Sequence, residues 1–181
     1  YRKVAFSYIQ SFKFMPSPNT MNNSTLKSIL DNFDLNDLNP EILKNDLYGN
    51  YASMIGKLKF VRNKLKIIQI EFAENMTKEK GGCILDGRDI GTDILPNADI
   101  KFYIDAPIKT RAKRRYKQLY SIDKSIVFEN IMIDLKKRDF ADKSRKNSPL
   151  IQSKNSILLD TELLNPEEVL QKALHYIKKN K

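Results

Sequence analysis

The fold is indicated by one stretch of the chain, Cys83-Ile84-Leu85-Asp86-Gly87-Arg88-Asp89-Ile90-Gly91-Thr92. Its first three residues form a short apolar run, which predicts a buried strand with Cys83 in the core. The turn that follows contains glycines, acids and an arginine, and in open α/β sheets ligands bind beyond the carboxyl ends of the strands. The stretch therefore predicts one strand of a parallel sheet that leads into a binding turn.

Two further apolar runs end in an acidic residue in the same way. Residues 101–104 precede Asp105, and residues 156–159 precede Asp160. Helical patterns separate the predicted strands, and strands that alternate with helices are typical of α/β proteins with a parallel sheet. The predicted fold class is therefore α/β, with short buried strands flanked by helices.

Apolar spacing predicts the helices of the first half of the chain. Residues 1–14 are helical in pattern, and Ser24 is the expected cap of a short helix. A short strand is predicted over residues 33–35, and Pro40 is a second predicted helix start. The longest helical stretch, residues 46–80, carries an apolar stripe that is typical of core packing: Val61, Leu65, Ile68, Phe72 and Met76.

Start signals predict the helices of the second half. Pro107 begins a basic helix that runs to about Tyr120, and Ser125 is the expected cap of a helix that runs to about Arg138. The last helix has the strongest start signal, Asn165-Pro166-Glu167-Glu168, with an N-cap, a proline at the first position and an acid at the third.

Composition narrows the class of protein. The chain has 181 residues, 32 Lys and Arg against 22 Asp and Glu, and a formal net charge of +10 at pH 7. One cysteine cannot form an intramolecular disulfide, so a cytoplasmic location is expected. One histidine argues against a histidine metal cluster. No apolar run approaches the roughly 18 residues that span a bilayer, so no membrane association is expected.

The turn after the first predicted strand holds the most informative candidate site. The planar guanidinium of Arg88 suits a phosphate. The carboxylate of Asp89 only accepts hydrogen bonds, so it favours a ligand edge that donates, such as an exocyclic amino group. The alternative interpretation is an Asp–Arg turn that pairs with itself at the end of a strand.

Two more charged clusters allow a functional and a structural interpretation. Residues 109–117 contain six basic residues; they could close over a polyphosphate, bind nucleic acid or form a solvated helix face. Arg138, Asp142 and Arg145 share one helical face, which could bind a phosphate together with a ribose hydroxyl. The alternative for this second cluster is a ladder of salt bridges within the helix.

Taken in order, these residues resemble the bacterial cytidylate kinase family. The resemblance covers nearly the whole chain and rests on blocks that are specific only in combination: Asp86-Gly87-Arg88-Asp89-Ile90-Gly91-Thr92, Pro96-x-Ala98-Asp99-x-Lys101, Arg111-Ala112-x-Arg114-Arg115-Tyr116, Arg138-Asp139-x-x-Asp142 with Ser148-Pro149-Leu150, Leu159-Asp160-Thr161, Asn50-x-Ala52-Ser53, Val61-Arg62 and Tyr1-Arg2.

The resemblance implies the P-loop-type nucleoside monophosphate kinase fold over one domain, residues 1–181. It implies a monophosphate-binding insertion at about 14–47 and a mobile lid at about 111–125. Arg114 and Arg115 fall in this lid, where the family covers the ATP phosphates. The implied reaction moves the γ-phosphoryl group of ATP to CMP or dCMP with Mg²⁺. A monomer without a specific nucleic-acid partner is expected.

By motif position, the resemblance also implies the contacts of the CMP substrate. Arg2, Arg62 and Arg88 are expected to clamp its phosphate. Ser53 and Asp89 are expected to contact cytosine. A carboxylate at position 89 would pair with the amino group of cytosine and repel the carbonyl oxygen of uracil.

The remaining implied roles concern the ribose, the transferred phosphoryl group and the metal. Arg138 and Arg145 are expected to approach the phosphates on closure, and Asp142 is the expected ribose partner. Asp86 lies where related kinases help to hold the metal through water. Arg88, Arg138 and Asp86 are the residues expected to serve catalysis.

One departure from the family pattern limits the expected activity. The phosphate loop G-x-x-x-x-G-K-[ST] does not occur in the 181 residues; relatives carry it upstream of the Tyr-Arg pair with which this sequence begins. The chain alone is therefore expected to transfer phosphoryl groups inefficiently. The alternatives are a pyrimidine-nucleotide-binding remnant without turnover and a basic nucleic-acid-binding protein.

Overall fold

The structure is a computed structural model, and it describes residues 1–17, 21–34, 43, 46–146 and 148–179. The chain forms two compact units, Tyr1–Ile84 and Leu85–Lys181. Of the helices within the described residues, none combines the length and the hydropathy that a bilayer crossing requires.

In its described part, the first unit is helical. Its helices are α1 (Arg2–Gln10), α2 (Asn23–Asp31), α3 (Asp46–Ile55) and α4 (Lys59–Lys80). Helix α1 packs against both α2 and α3, and α2 also packs against α4. The predicted helix over residues 1–14 is confirmed, but it ends four residues early because Ser11 closes it with a turn.

One apolar cluster holds the helices of the first unit together. Tyr8, Leu26, Ile55, Val4 and Val61 are its largest fully buried side chains. Of the predicted stripe on α4, Val61 and Leu65 belong to this cluster, and Ile68 packs against its edge. Fully burying an aliphatic side chain contributes about 1.5–3 kcal/mol, so this cluster is what stabilises the unit.

The cap predicted for α2 is wrong by two residues. Asn22, rather than Ser24, accepts the backbone N–H of Thr25 at 3.1 Å, and the Ser24 hydroxyl donates to the same Asn22 oxygen. Asn is as good a cap as Ser, and only Asn22 has the extended backbone that a cap needs. Residues 33 and 34 form no strand, while Leu35 and Pro40 lie outside the described residues.

The predicted helical stretch 46–80 is two helices. Residues 56–58 form a turn, in which the N–H groups of Gly56 and Lys57 donate to the carbonyls of Ala52 and Met54. A new helix then begins at Lys59 and ends at Gly81, whose φ of 77° is the left-handed conformation that closes helices. The predicted end of the helical stretch, residue 80, is confirmed.

The second unit contains a two-stranded parallel sheet and three helices among its described residues. In chain order it has a π-helical turn (Ile90–Ile94), β1 (Phe102–Asp105), α5 (Ile108–Tyr120), α6 (Phe128–Ser144), β2 (Ile157–Asp160) and α7 (Pro166–Lys179). Strand β1 pairs with β2 so that Asp105 lies opposite Asp160. The predictions of these two strands, and of acidic residues at their carboxyl ends, are confirmed.

The third predicted strand is wrong. Residues 83–85 adopt no strand, Cys83 is exposed, and the Ile84 side chain is 95% exposed. A strand needs a neighbour to pair its backbone N–H and C=O groups, and within the described residues none lies beside this run. Burial of the sheet is also less complete than predicted, because Leu159 is buried while Ile104 and Leu158 are exposed.

Helices α5 and α6 form a hairpin, in which α5 begins where it was predicted and α6 does not. Helix α5 starts as predicted after Pro107. Helix α6 starts at Phe128 rather than at Ser125 and continues past Arg138 to Ser144. The Ser125 hydroxyl and N–H both donate to Asp123, at 2.7 and 2.9 Å, so Ser125 belongs to the connecting turn and does not cap the helix.

Helix α7 starts with the predicted capping box. The Asn165 side chain accepts the N–H of Glu168 at 3.0 Å, and the Glu168 carboxylate accepts the N–H of Asn165 at 2.7 Å. These reciprocal bonds satisfy two backbone donors that the helix itself leaves unpaired.

A fork of charged hydrogen bonds joins α5 to α6. The two terminal nitrogens of Arg111 donate to the two oxygens of Asp139 at 3.0 and 2.7 Å, and Arg111 Nε donates to the Ala106 carbonyl at 2.9 Å. These hydrogen bonds to Asp139 raise the pKa of Arg111; partial burial opposes them, and the charges of Asp139 and Asp105 raise the pKa further. One side chain thereby ties both helices to the end of β1.

The Arg111–Asp139 fork is expected to stabilise the second unit. Arg111→Gln and Asp139→Asn, made singly and together, should show a favourable coupling of about 1 kcal/mol in the free energy of unfolding. Both side chains are about one-third exposed, which limits the effect. Urea unfolding of the four proteins measures it. The same cycle between exposed Lys117→Gln and Asp139→Asn is the control, and it should be additive.

The turn between α5 and α6 gives a prediction on pH. Hydrogen bonds from the Ser125 hydroxyl and then its N–H lower the pKa of Asp123. Since the folded-state pKa lies below the unfolded value, the stabilisation is complete above the unfolded pKa and is lost as pH falls through the folded one. Carboxyl ¹³C titration should give a low midpoint for Asp123, which Ser125→Ala raises. An unchanged midpoint in Ser125→Ala would contradict this assignment; Ser121→Ala is the matched control.

Candidate active site

The predicted site residues divide between the two units. Arg2, Ser53 and Arg62 lie in the first unit. The other predicted residues lie in the second: Asp86, Arg88, Asp89, Arg114, Arg115, Arg138, Asp142 and Arg145.

In the first unit, the two arginines lie around the beginning of α1. Arg2 is the first residue of α1, and one terminal nitrogen donates to the Leu43 carbonyl at 2.7 Å. Its guanidinium lies against Gly49 of α3, where a Cβ would come within 3.1 Å of it. The Arg62 guanidinium lies 5.9 Å from the ring centre of Tyr1, next to Arg2 in the chain.

Ser53 lies on the same face of α3 as Gly49. The two residues are one helical turn apart, and residues at this spacing share a face. Ser53 is exposed. The helix therefore presents a hydroxyl next to the surface that Arg2 covers, and a side chain at position 49 would require the end of the Arg2 side chain to shift by a few tenths of an ångström.

The turn after residue 85 is shaped by the close packing of its glycines. A Cβ at Gly87 would lie 2.9 Å from the Ile90 side chain, and a Cβ at Gly91 would lie 2.9 Å from the Ser153 hydroxyl. The space beside both glycines is therefore filled by the chain's own side chains. The π-helical turn begins here, with the N–H groups of Asp93 and Ile94 donating to the Asp89 carbonyl at 2.9 and 3.2 Å.

Arg88 and Asp142 are brought together by the fold. Arg88 Nε lies 3.2 Å from an Asp142 oxygen, and no other described residue bonds to its guanidinium. Contact through Nε leaves the two terminal nitrogens of Arg88 available. The self-paired Asp–Arg turn is thus not formed, since the partner of Arg88 comes from α6.

Arg145 joins the same carboxylate from the other side. Its Nη1 lies 3.6 Å from the second Asp142 oxygen, and its Nε donates to the Ser148 carbonyl at 2.5 Å. Its Nη2 is buried and has no hydrogen-bond partner among the described residues. A buried donor without an acceptor is costly, so this arrangement suits an anion that supplies the missing acceptor.

Three other predicted residues differ in their exposure. Asp89 is 6% exposed, whereas Asp86 and Arg138 are exposed. The Asp86 side chain has no hydrogen bond or ion pair within the described part of the chain. In that same part, no three His, Cys, Asp or Glu side chains group to hold a metal ion.

The two arginines of the predicted lid make different contacts. Arg114 is fixed to the loop after β2, where it donates to the Thr161 hydroxyl at 3.2 Å, to the Leu164 carbonyl at 3.1 Å and to the Thr161 carbonyl. Arg115 is half-buried and donates to Gln118 at 3.0 Å. The first turns of α5 are thus anchored to the end of the sheet.

The sequence gives no signal for the partners that orient these side chains. Asp139 pairs with Arg111 across 28 residues, and Ser148 pairs with Asp93 across 55. Spacing on one helix reveals pairs three or four residues apart, whereas these pairs exist only after the elements have packed.

Comparison with known proteins identifies the family of this chain. The family model described as cytidylate kinase matches residues 1–179. A cytidylate kinase of Bartonella bacilliformis is 45% identical over 140 residues, which cover 77% of this chain and 63% of the relative. That of Bartonella henselae is 42% identical over 134 residues, covering 74% and 60%.

A further relative, cytidylate kinase 1 of Haemophilus influenzae, is 38% identical over 138 residues, covering 76% of this chain and 58% of the relative. The chain thus spans about three-fifths of the length of the curated relatives it matches. The family match over 1–179, with these identities, confirms the resemblance that the motifs carried: the chain belongs to the cytidylate kinase family, which implies a nucleoside monophosphate kinase fold.

Proposed function

We propose that this chain is the part of a cytidylate kinase that binds the nucleoside monophosphate, and that the protein transfers the γ-phosphoryl group of ATP to CMP or dCMP. The products are CDP and dCDP. The observation that carries this proposal is the arrangement of Arg88 and Arg145 around the carboxylate of Asp142. The family and the names of the relatives support it.

The arrangement suits the charge that phosphoryl transfer develops. The reaction needs little covalent chemistry from the protein, and its rate comes from positioning and from stabilising charge on the phosphoryl oxygens. Arg88 has two terminal nitrogens free of other described residues, and Arg145 has one buried nitrogen without an acceptor. A phosphate would supply the acceptors for both arginines.

The other second-unit residues have supporting roles in this proposal. Arg138, on α6 beside Asp139, contributes positive charge toward the phosphates. Asp142 holds Arg88 and Arg145 and retains oxygen lone pairs for a ribose hydroxyl, since a carboxylate has about four acceptor positions. Arg114 and Arg115 belong to the proposed lid at about 111–125.

The family resemblance also assigns substrate contacts to residues of the first unit. By motif position, it assigns Arg2 and Arg62 to the phosphate of CMP and Ser53 to its cytosine. The resemblance places a monophosphate-binding insertion at about 14–47. Asp89 is buried, and a buried carboxylate strongly disfavours a ligand that faces it with a second acceptor. Selectivity for cytosine over uracil follows.

Among the described residues, an acidic side chain would hold Mg²⁺ through water rather than as part of an acidic cluster. The described residues offer no three-acid cluster, but Mg²⁺ usually keeps several waters and binds to one or two carboxylates and the substrate phosphates. Asp86, exposed and unpaired among the described residues, would hold it through water. When bound, the ion neutralises charge on the ATP phosphates.

ATP binding by these 181 residues is expected to be weak. None of them forms the G-x-x-x-x-G-K-[ST] loop, whose backbone N–H groups and lysine bind the ATP phosphates in this class of kinase. The chain is therefore expected to bind CMP selectively without efficient turnover. Steady CDP production by the pure chain would contradict this expectation.

Titration calorimetry with CMP and UMP tests the proposal. The chain should bind CMP more tightly than UMP. Arg88→Lys keeps the charge but loses the fork and the Asp142 contact, so it should weaken CMP binding by about tenfold or more. Exposed Lys154→Ala removes one positive charge elsewhere in the same unit and should leave the affinity within about twofold.

Two results would overturn the proposal. One is equal binding of CMP and UMP, because the site would then not distinguish cytosine from uracil. The other is CMP binding that Lys154→Ala weakens as much as Arg88→Lys does. A steep fall of affinity with salt, together with tight binding to any single-stranded DNA, would instead support the nucleic-acid alternative.

A further inference from the structure

Ser148 has a backbone conformation that is unusual for its residue type. Its φ is 49°, in the left-handed region that non-glycine residues seldom adopt. Such residues persist only where their surroundings hold them, and they concentrate at functional sites. Ser148 follows α6 closely, three residues beyond Arg145.

Asp93 is the side chain that holds Ser148. The Ser148 hydroxyl donates to Asp93 Oδ2 at 2.6 Å, and both residues are half-buried. Asp93 lies in the π-helical turn that begins directly after Asp89. The bond therefore joins the turn that carries Arg88 and Asp89 to the loop after α6.

Ser148 in turn orients Arg145. The Ser148 carbonyl accepts Arg145 Nε at 2.5 Å, and the orientation of this carbonyl depends on the left-handed backbone of its own residue. With Nε bound to Ser148 and Nη1 near Asp142, only Nη2 lacks a partner among the described residues. The guanidinium is held on two sides, and its third nitrogen is buried without an acceptor in the described part of the chain.

We propose that Asp93 is a positioning residue, which acts through Ser148 to fix the guanidinium of Arg145 for the phosphate of CMP. This inference rests on the proposed function for its ligand. Its first part, that Asp93 holds Arg145 through Ser148, does not depend on any ligand. The two parts are therefore tested separately.

The first test follows the Arg145 Nε–H by ¹⁵N NMR without nucleotide, with its signal assigned by its loss in Arg145→Lys. A hydrogen-bonded, partly buried Nε–H exchanges slowly with water. Asp93→Ala should accelerate this exchange by about tenfold, since one hydrogen bond to a charged group is disturbed. Asp93→Asn keeps an acceptor for the Ser148 hydroxyl and should restore slow exchange. Unchanged exchange in Asp93→Ala overturns the proposal.

The second test compares the affinities for CMP and for cytidine, which lacks the phosphate. Asp93→Ala should weaken CMP binding by about tenfold and leave cytidine binding within about twofold. Ser148→Ala should have the same effect, and adding Asp93→Ala to it should cause no further loss, because both changes break one chain of contacts. Asp99→Ala, an exposed acid in the segment before β1, is the matched control.

The outcomes separate this inference from the proposed function. If both ligands weaken equally in Asp93→Ala, the residue only stabilises the loop and the positioning role is wrong. If exchange at Arg145 responds as expected but the unmodified chain binds no CMP, the proposed function fails while the positioning of Arg145 by Asp93 stands. Additive losses in the double variant would overturn the route through Ser148.

Discussion

The candidate site depends on one carboxylate, that of Asp142. Two guanidinium groups brought close together repel each other, and the repulsion grows where water is partly excluded. Asp142, 18% exposed, accepts Arg88 at one oxygen and lies near Arg145 with the other. The negative charge lets the two arginines remain close before any phosphate is bound. Without it, the two guanidinium groups would repel each other, although the Ser148 carbonyl would still accept Arg145 Nε.

The position of Asp142 is fixed by the last turns of α6. One turn earlier on this helix, Asp139 is held by Arg111, which also binds the carbonyl at the end of β1. After the helix, the Leu150 N–H donates to the Asp142 carbonyl at 2.8 Å and folds the chain back. The sheet, α5, α6 and the following loop thus act together to place one side chain.

The positions of the charged side chains say more about the ligand of this protein than its net charge does. A net charge of +10 is compatible with nucleic-acid binding. Yet Arg88, Arg111, Arg114 and Arg145 are each bound to specific oxygens of the chain, which leaves them oriented instead of freely solvated. Oriented donors favour a ligand of defined shape, whereas a diffuse charged surface favours any polyanion.

Local signals in the sequence determined much of the fold. The capping box at Asn165 and the glycine that ends α4 each depend on neighbours within a few residues. The apolar runs that end at Asp105 and Asp160 predicted both strands, although the two strands pair across the chain. The motif around Arg88 and the Arg138–Arg145 segment also identified the family and most of the candidate site.

Tertiary structure decided the rest, because strand formation and ion pairing need partners distant in sequence. Residues 83–85 are apolar enough for a strand but have no paired neighbour among the described residues. Three pairs form only when separate elements pack: Arg88 with Asp142, Arg111 with Asp139, and Ser148 with Asp93.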